Sequence, residues 1–133
     1  MATQDEQSDQ LIALQQHLLA QNDWESPQQK EVAQFFSRYM PQFENPEEAS
    51  RLVTQVIEAL SRSAAPYMAL QNFSRYLSVF AEPDEEMIRC LHDPEHLNFI
   101  TSLFATSTFF TDIIAAHPVF LSWTMKSGKL NEE

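Results

Sequence analysis

Apolar residues recur along this chain at the spacing of amphipathic helices. The clearest stripe is Ala49, Leu52, Val53, Val56, Ile57 and Leu60, whose members lie on one face when the segment is helical. No segment alternates apolar and polar residues between turn residues, as a half-buried strand would. The pattern predicts an all-α fold, an irregular bundle of about eight short antiparallel helices. These predicted helices span residues 8–21, 27–39, 46–62, 66–80, 84–92, 94–105, 108–116 and 118–126.

Prolines mark most of the predicted helix starts. Five of the seven follow a residue suited to cap or end a helix, at Ser26-Pro27, Asn45-Pro46, Ala65-Pro66, Asp93-Pro94 and His117-Pro118. Proline loses no hydrogen bond at the first helical position, because the N–H that it lacks would be unpaired there. Ser26 with Gln29, and Asn45 with Glu48, have the spacing of a capping box, and Asp93 suits an N-cap.

The length of 133 residues and the 44% hydrophobic content are those of one domain with its own core. We expect residues 1–7 to be disordered, residues 8–126 to form a single helical domain, and residues 127–133 to be frayed. The helical stripes predict that Leu52, Val56, Leu60, Phe73, Leu77, Leu103, Phe104, Phe110 and Trp123 are buried.

Charge and composition narrow the function classes. Eight basic residues stand against 19 acidic ones, and a net charge of −11 repels nucleic acid and anionic membranes. Gly128 is the only glycine, so the chain cannot contain the glycine-rich loops that bind phosphate groups. Cys90 is the only cysteine and the N-terminus lacks the pattern of a signal peptide, which predicts a cytoplasmic protein.

Two histidines are candidate metal ligands. His92 and His96 are four positions apart, which is the ligand spacing of H-E-x-x-H helices. Asp93-Pro94 lies between them and should start a new helix, so we expect the two rings on different helices. His92 is then a helix-end residue and His96 lies on a solvated face. The sequence therefore predicts no metal site, and we expect that equimolar zinc does not raise the melting temperature.

The remaining candidate groups also favour structural roles. His17 has no ligand partner at a suitable spacing and His117 is a helix-end residue before proline. Cys90 is predicted to be a small buried hydrophobe and not a nucleophile. The acidic run 82–86 is predicted to be a solvated helix start, and the aromatic segment from Phe99 to Trp123 to be core and not a ligand pocket. The residues assign no catalytic, cofactor-binding or metal role and imply no cofactor.

Four motifs in the second half occur in an order and spacing that we recognise. They are N-F-x-R-Y-L (Asn72, Phe73, Arg75, Tyr76, Leu77), L-x-D-P-x-x-L (Leu91, Asp93, Pro94, Leu97), L-F-x-x-S-x-F-F (Leu103, Phe104, Ser107, Phe109, Phe110) and H-P-x-x-L-x-W (His117, Pro118, Leu121, Trp123). Residues 70–123, about two fifths of the chain, resemble the helical region that precedes the catalytic fold in glutamine synthetase adenylyltransferases. Residues 1–66 give no independent match.

The resemblance implies a non-catalytic helical module that supports or regulates a nucleotidyltransferase domain. That family transfers AMP from ATP to glutamine synthetase through a glycine-serine turn and metal-binding aspartates, and no residue of this chain matches those motifs. The implied partner is a protein, first a nucleotidyltransferase domain of the same parent chain, and otherwise glutamine synthetase or a regulatory protein. Neither nucleic acid nor membrane is expected as a partner. The alternative is a stand-alone helical interaction domain unrelated to nitrogen control.

Overall fold

The computed structural model of the chain describes residues 4–108, 112, 113 and 116. Over these residues the regular structure is entirely helical and includes no strand, which confirms the all-α prediction. The helices are α1 (Gln4–Gln21), α2 (Ser26–Tyr39), α3 (Pro46–Arg62), α4 (Pro66–Leu77), α5 (Pro83–His92) and α6 (Pro94–Thr106). Six helices are therefore seen in place of about eight, and the predicted helices 108–116 and 118–126 lie mostly or wholly outside the described residues, as does the segment 127–133.

Proline and capping side chains set the helix starts. Four helices begin on a proline, and at two of these starts the N-cap is a predicted residue, although at Asn45 the bond comes from Glu47 and not from the capping-box partner Glu48. Asn45 Oδ1 accepts a hydrogen bond from the Glu47 N–H at 2.9 Å, and Asp93 Oδ1 accepts one from the His96 N–H at 3.1 Å. The capping box predicted at Ser26 is wrong by one position, because Glu25 is the N-cap and its N–H bonds to Gln28 Oε1 at 3.3 Å.

Two helix ends differ from the prediction by more than one residue. Helix α1 begins at Gln4, four positions before the expected start at residue 8. Helix α4 ends at Leu77 and not at residue 80. The Ser78 hydroxyl donates a hydrogen bond to the Arg75 carbonyl at 2.6 Å, so a local side-chain bond satisfies one of the carbonyls that the helix end leaves unpaired.

A tight turn joins α1 to α2 and is fixed to the far end of α3. Asp23 has a φ of 63°, a left-handed conformation that Asp tolerates better than most residues. Trp24 follows, is 7% exposed, and donates its Nε1–H to Ser61 Oγ at 2.9 Å. This long-range bond holds the α1–α2 turn against the last turn of α3.

One continuous apolar core runs through the six helices, and α3 lies at its centre. Helix α3 contacts α1, α4, α5 and α6, and the most extensive helix pairs are α4 with α6 and α1 with α3. Six of the nine predicted core residues are buried, namely Leu52, Val56, Leu60, Phe73, Leu77 and Phe104. The prediction is wrong for Leu103, which is only partly buried at the edge of this core, and Phe110 and Trp123 lie outside the described residues.

None of the helices in the described part of the chain combines the length and the apolar character needed to cross a bilayer.

Candidate functional site

The first candidate site is a group of four buried polar side chains between α4, α5 and α6, which we call the Glu86 cluster. Its members are Tyr76, Glu86, Cys90 and His96. Tyr76, Cys90 and His96 are at most 1% exposed, and Glu86 is 6% exposed. Burial of a carboxylate is costly without partners, so the contacts around Glu86 decide whether the cluster is stable.

One carboxylate oxygen connects the three helices. The Tyr76 hydroxyl donates a hydrogen bond to Glu86 Oε2 at 2.9 Å, and His96 Nε2 lies 2.5 Å from the same oxygen. The two atoms therefore share a proton across this short contact. The other ring nitrogen of His96, Nδ1, is buried and has no hydrogen-bond partner.

The local sequence explains why these side chains meet. Glu86 and Cys90 are four residues apart and therefore lie on the same face of α5, beside the buried Met87 and Leu91. Asp93 ends α5 and caps α6, and this cap places His96 in the first turn of α6. The break that we expected to separate the two histidines thus also directs His96 toward α5.

Burial and negative charge dominate the electrostatics of the cluster. Burial raises the pKa of Tyr76 far above its ordinary value of 10.0, and the neighbouring Glu86 carboxylate raises it further. Burial also raises the pKa of the Cys90 thiol well above 9.0, again with Glu86 adding to the shift and Arg89 opposing it. Both groups are therefore protonated at neutral pH, so Cys90 is a thiol and a poor nucleophile.

The structure corrects one prediction about the histidines and confirms others. His92 and His96 lie on different helices, and His92 is the exposed last residue of α5, as expected. His96 was expected on a solvated face, and that prediction is wrong because the ring is 0% exposed. His17 is exposed on α1, and His117 lies outside the described residues.

The acidic run is also corrected at one position. Glu82, Asp84 and Glu85 are exposed at the start of α5, as predicted, whereas Glu86 is buried. The signal that could have found Glu86 is its register, because positions 86, 87, 90 and 91 form one helical stripe with two apolar residues and a cysteine. Cys90 is buried as predicted, while of the aromatic segment Phe99 is half-buried and Phe104 is buried.

The second candidate site is an open groove between other helices, which we call the α1–α3 groove. It has a volume of about 1050 Å³ and is bordered by α1, α2, the segment between α2 and α3, and the start of α3. Its apolar lining includes Leu11, Ile12, Phe36, Met40 and Phe43, and none of its lining residues is charged. Ile12 is 47% exposed and, together with the other apolar lining residues, forms the exposed apolar part of the groove.

A buried glutamine also lines the groove. Gln15 on α1 is 6% exposed, and its Oε1 has no hydrogen-bond partner. A buried acceptor without a partner costs about 1–3 kcal/mol. The groove is therefore uncharged, with an apolar part and a polar part supplied by glutamine and serine side chains.

Comparisons with protein-family models, with curated proteins and with solved structures found no match to this chain.

Proposed function

We propose that this chain is a non-catalytic helical module that supports or regulates a nucleotidyltransferase domain of the glutamine synthetase adenylyltransferase kind. The observation that carries the proposal is where the residues of the resemblance lie. Six residues of its first two motifs are buried and pack together in α4, α5 and α6. They are Asn72, Phe73, Tyr76, Leu77, Leu91 and Leu97.

These residues support packing and not chemistry. Asn72 is buried and donates from Nδ2 to the Phe104 carbonyl at 2.9 Å, so it joins α4 to the last turns of α6. The ring centroids of Phe73 and Phe104 are 5.6 Å apart, and those of Tyr76 and Phe104 are 5.2 Å apart. A set of residues that specifies helix packing is what the resemblance implies for a bracing module.

The α1–α3 groove supplies a surface for such a partner. We propose that its occupant is an amphipathic helix of the nucleotidyltransferase protein, whose apolar face covers Leu11 and Ile12. An uncharged lining in a chain of net charge −11 favours an apolar helix face over a charged peptide or a nucleotide.

Binding to the catalytic domain tests the proposal. The purified 133-residue protein is titrated with the isolated nucleotidyltransferase domain of a glutamine synthetase adenylyltransferase, by calorimetry and by size-exclusion chromatography. We expect saturable binding. No binding at any concentration reached, with both proteins folded, contradicts the proposed function and leaves the stand-alone interaction domain as the better hypothesis.

Matched variants test the groove separately. Ile12→Glu adds a charge to the uncharged lining, and Ile88→Glu makes the same change at a comparably exposed isoleucine on α5, outside the groove. We expect binding at least about tenfold weaker for Ile12→Glu and unchanged for Ile88→Glu, because a buried unpaired charge at an interface is costly. If both variants bind as tightly as the wild type, the proposed function as a helical module stands, but the groove is not its docking surface.

Nucleotide transfer is tested directly. The chain has no glycine-rich turn to present amides to phosphates, and its net charge repels ATP. We expect that the 133 residues incorporate no label from ATP and magnesium into glutamine synthetase. Incorporation above a no-enzyme control, with protein free of host adenylyltransferase, refutes the non-catalytic proposal.

A further inference from the structure

We propose that Glu86, Cys90 and His96 form a binding site for one divalent transition-metal ion of the zinc type. The three residues each bring one donor atom, and these atoms all lie within 4.8 Å of one another. The inference concerns the Glu86 cluster alone and does not depend on the proposed function.

The donor chemistry selects the class of ion. A carboxylate oxygen, a thiolate sulfur and an imidazole nitrogen are the three ligand types that zinc takes in proteins. Magnesium and calcium prefer sets made of oxygen alone, so a thiol and an imidazole argue against them. The spacing has a local origin, since Glu86 and Cys90 share one face of α5 and the cap at Asp93 brings His96 from α6 onto it.

The buried ring of His96 supplies the nitrogen donor. Its Nε2 lies 2.5 Å from Glu86 Oε2, and the two ring nitrogens point in different directions, so an ion that also reaches Glu86 binds His96 at Nε2. Nδ1 is buried and has no hydrogen-bond partner, so it is free to carry the ring proton when Nε2 binds the ion.

Charge balance favours the ion over the empty cluster. Binding moves the proton shared by His96 Nε2 and Glu86 to the open Nδ1 of the ring, and it breaks the S–H bond of Cys90 as the metal–sulfur bond forms. The thiol proton leaves to solvent, and no oxidation state changes. The thiolate and the carboxylate then carry two negative charges against the two positive charges of the ion. Without the ion, the cluster buries a carboxylate among neutral donors. With the ion, the cluster has no net charge.

The test loads the metal during folding, because the cluster is closed to solvent in the folded chain. Untagged protein is refolded with excess Co²⁺ or Zn²⁺, and with Mg²⁺ in a parallel sample. We expect one Co²⁺ per chain by elemental analysis after gel filtration, a thiolate-to-cobalt charge-transfer band in the near ultraviolet, and a zinc-dependent rise in Tm that Mg²⁺ does not produce. The expected rise with zinc replaces the sequence-based expectation of no shift, which considered only His92 and His96 as a ligand pair. Folded wild-type protein that retains no metal and shows no such band overturns the proposal without any variant.

Variants then assign the ligands. Cys90→Ser and His96→Asn should each weaken Co²⁺ binding at least about tenfold, and Cys90→Ser should abolish the charge-transfer band. His92→Ala is the matched control, because this nearby histidine is exposed at the end of α5, and it should bind the metal like the wild type. A band that persists in Cys90→Ser, or is lost in His92→Ala, contradicts the assignment. If Cys90→Ser does not fold, as judged by circular dichroism, His96→Asn and the wild-type spectrum still decide it.

Discussion

Two regions of this bundle differ in how their buried polar groups are connected. Between α4, α5 and α6, the buried side chains of Asn72, Tyr76, Glu86 and Thr101 have hydrogen-bond partners within the chain, and the exception is Nδ1 of His96. Around α1 and α3, the buried Oε1 atoms of Gln15 and Gln55 have no partner, and a large uncharged groove is open. The first region therefore links its helices through polar contacts, while the second has the features of a surface that another helix would cover.

The residues that carry the proposed resemblance lie apart from the groove. Its first two motifs fall in α4, α5 and α6, whereas residues 1–66, which gave no independent match, include every residue that lines the groove. The resemblance therefore concerns the packing of α4, α5 and α6 and does not extend to the groove.

The largest expected effect is loss of an aromatic ring in the packed region. Phe73 is 0% exposed and contacts the rings of Phe35, Tyr76 and Phe104. We expect Phe73→Ala to lower the free energy of unfolding by about 3–5 kcal/mol, because it removes apolar contacts and leaves a cavity. Phe43→Ala in the half-buried groove lining should cost clearly less. Urea unfolding of both variants measures this, and equal losses would remove the distinction between the two regions.

The next largest loss of stability is expected when the Glu86 carboxylate, which Tyr76 and His96 share, is removed. Glu86→Ala leaves the Tyr76 hydroxyl and the His96 N–H without their acceptor, at about 1–3 kcal/mol for each buried group. We expect a total near 3 kcal/mol in chemical denaturation. Glu85→Ala is the control, since this exposed neighbour should change stability by no more than about 0.5 kcal/mol. Similar values for the two variants would mean that the Glu86 contacts contribute nothing to stability.

Alkaline pH should weaken the same region. The pKa values of Tyr76 and Cys90 are raised in the folded state, so both groups stabilise the fold below their ordinary values of 10.0 and 9.0. Above about pH 9 the unfolded chain loses these protons while the folded chain retains them, and stability falls by up to about 1.4 kcal/mol per pH unit for each group. Tm measured from pH 7 to 11 should decline from about pH 9, and more gently for Cys90→Ala. If Tm falls with pH equally steeply in Cys90→Ala and in the wild type, the Cys90 thiol does not contribute to this pH dependence.

The smallest losses of stability are expected at two helix caps, one in each region. Asn45 caps α3 beside the groove, and Asp93 caps α6 beside the Glu86 cluster. Loss of a cap to alanine costs about 0.5–2 kcal/mol. We expect Asp93→Ala to have the larger effect, because this cap also positions His96. Thermal unfolding of the two variants measures both losses of stability. A larger loss for Asn45→Ala than for Asp93→Ala would contradict this prediction.

The sequence by itself determined where most helices lie. Stripes such as the one on α3, prolines at the first helical position and the caps at Asn45 and Asp93 act within a few residues, so they can be read without knowing the fold. The same locality explains the burial of Leu52, Val56 and Leu60, which lie on the most regular stripe of the chain. It also explains the separation of His92 from His96, which needs only the Asp93-Pro94 break.

Only the tertiary structure decided what each helix face meets. The acidic run predicts a solvated start for α5, and Glu86 is buried because Tyr76 on α4 and His96 on α6 approach the same oxygen. Leu103 has the register of a core residue but lies at the edge of the core, and the groove exists because no described helix covers Ile12. Periodicity specifies which residues share a face, whereas burial of a polar group or exposure of an apolar one depends on neighbours distant in sequence.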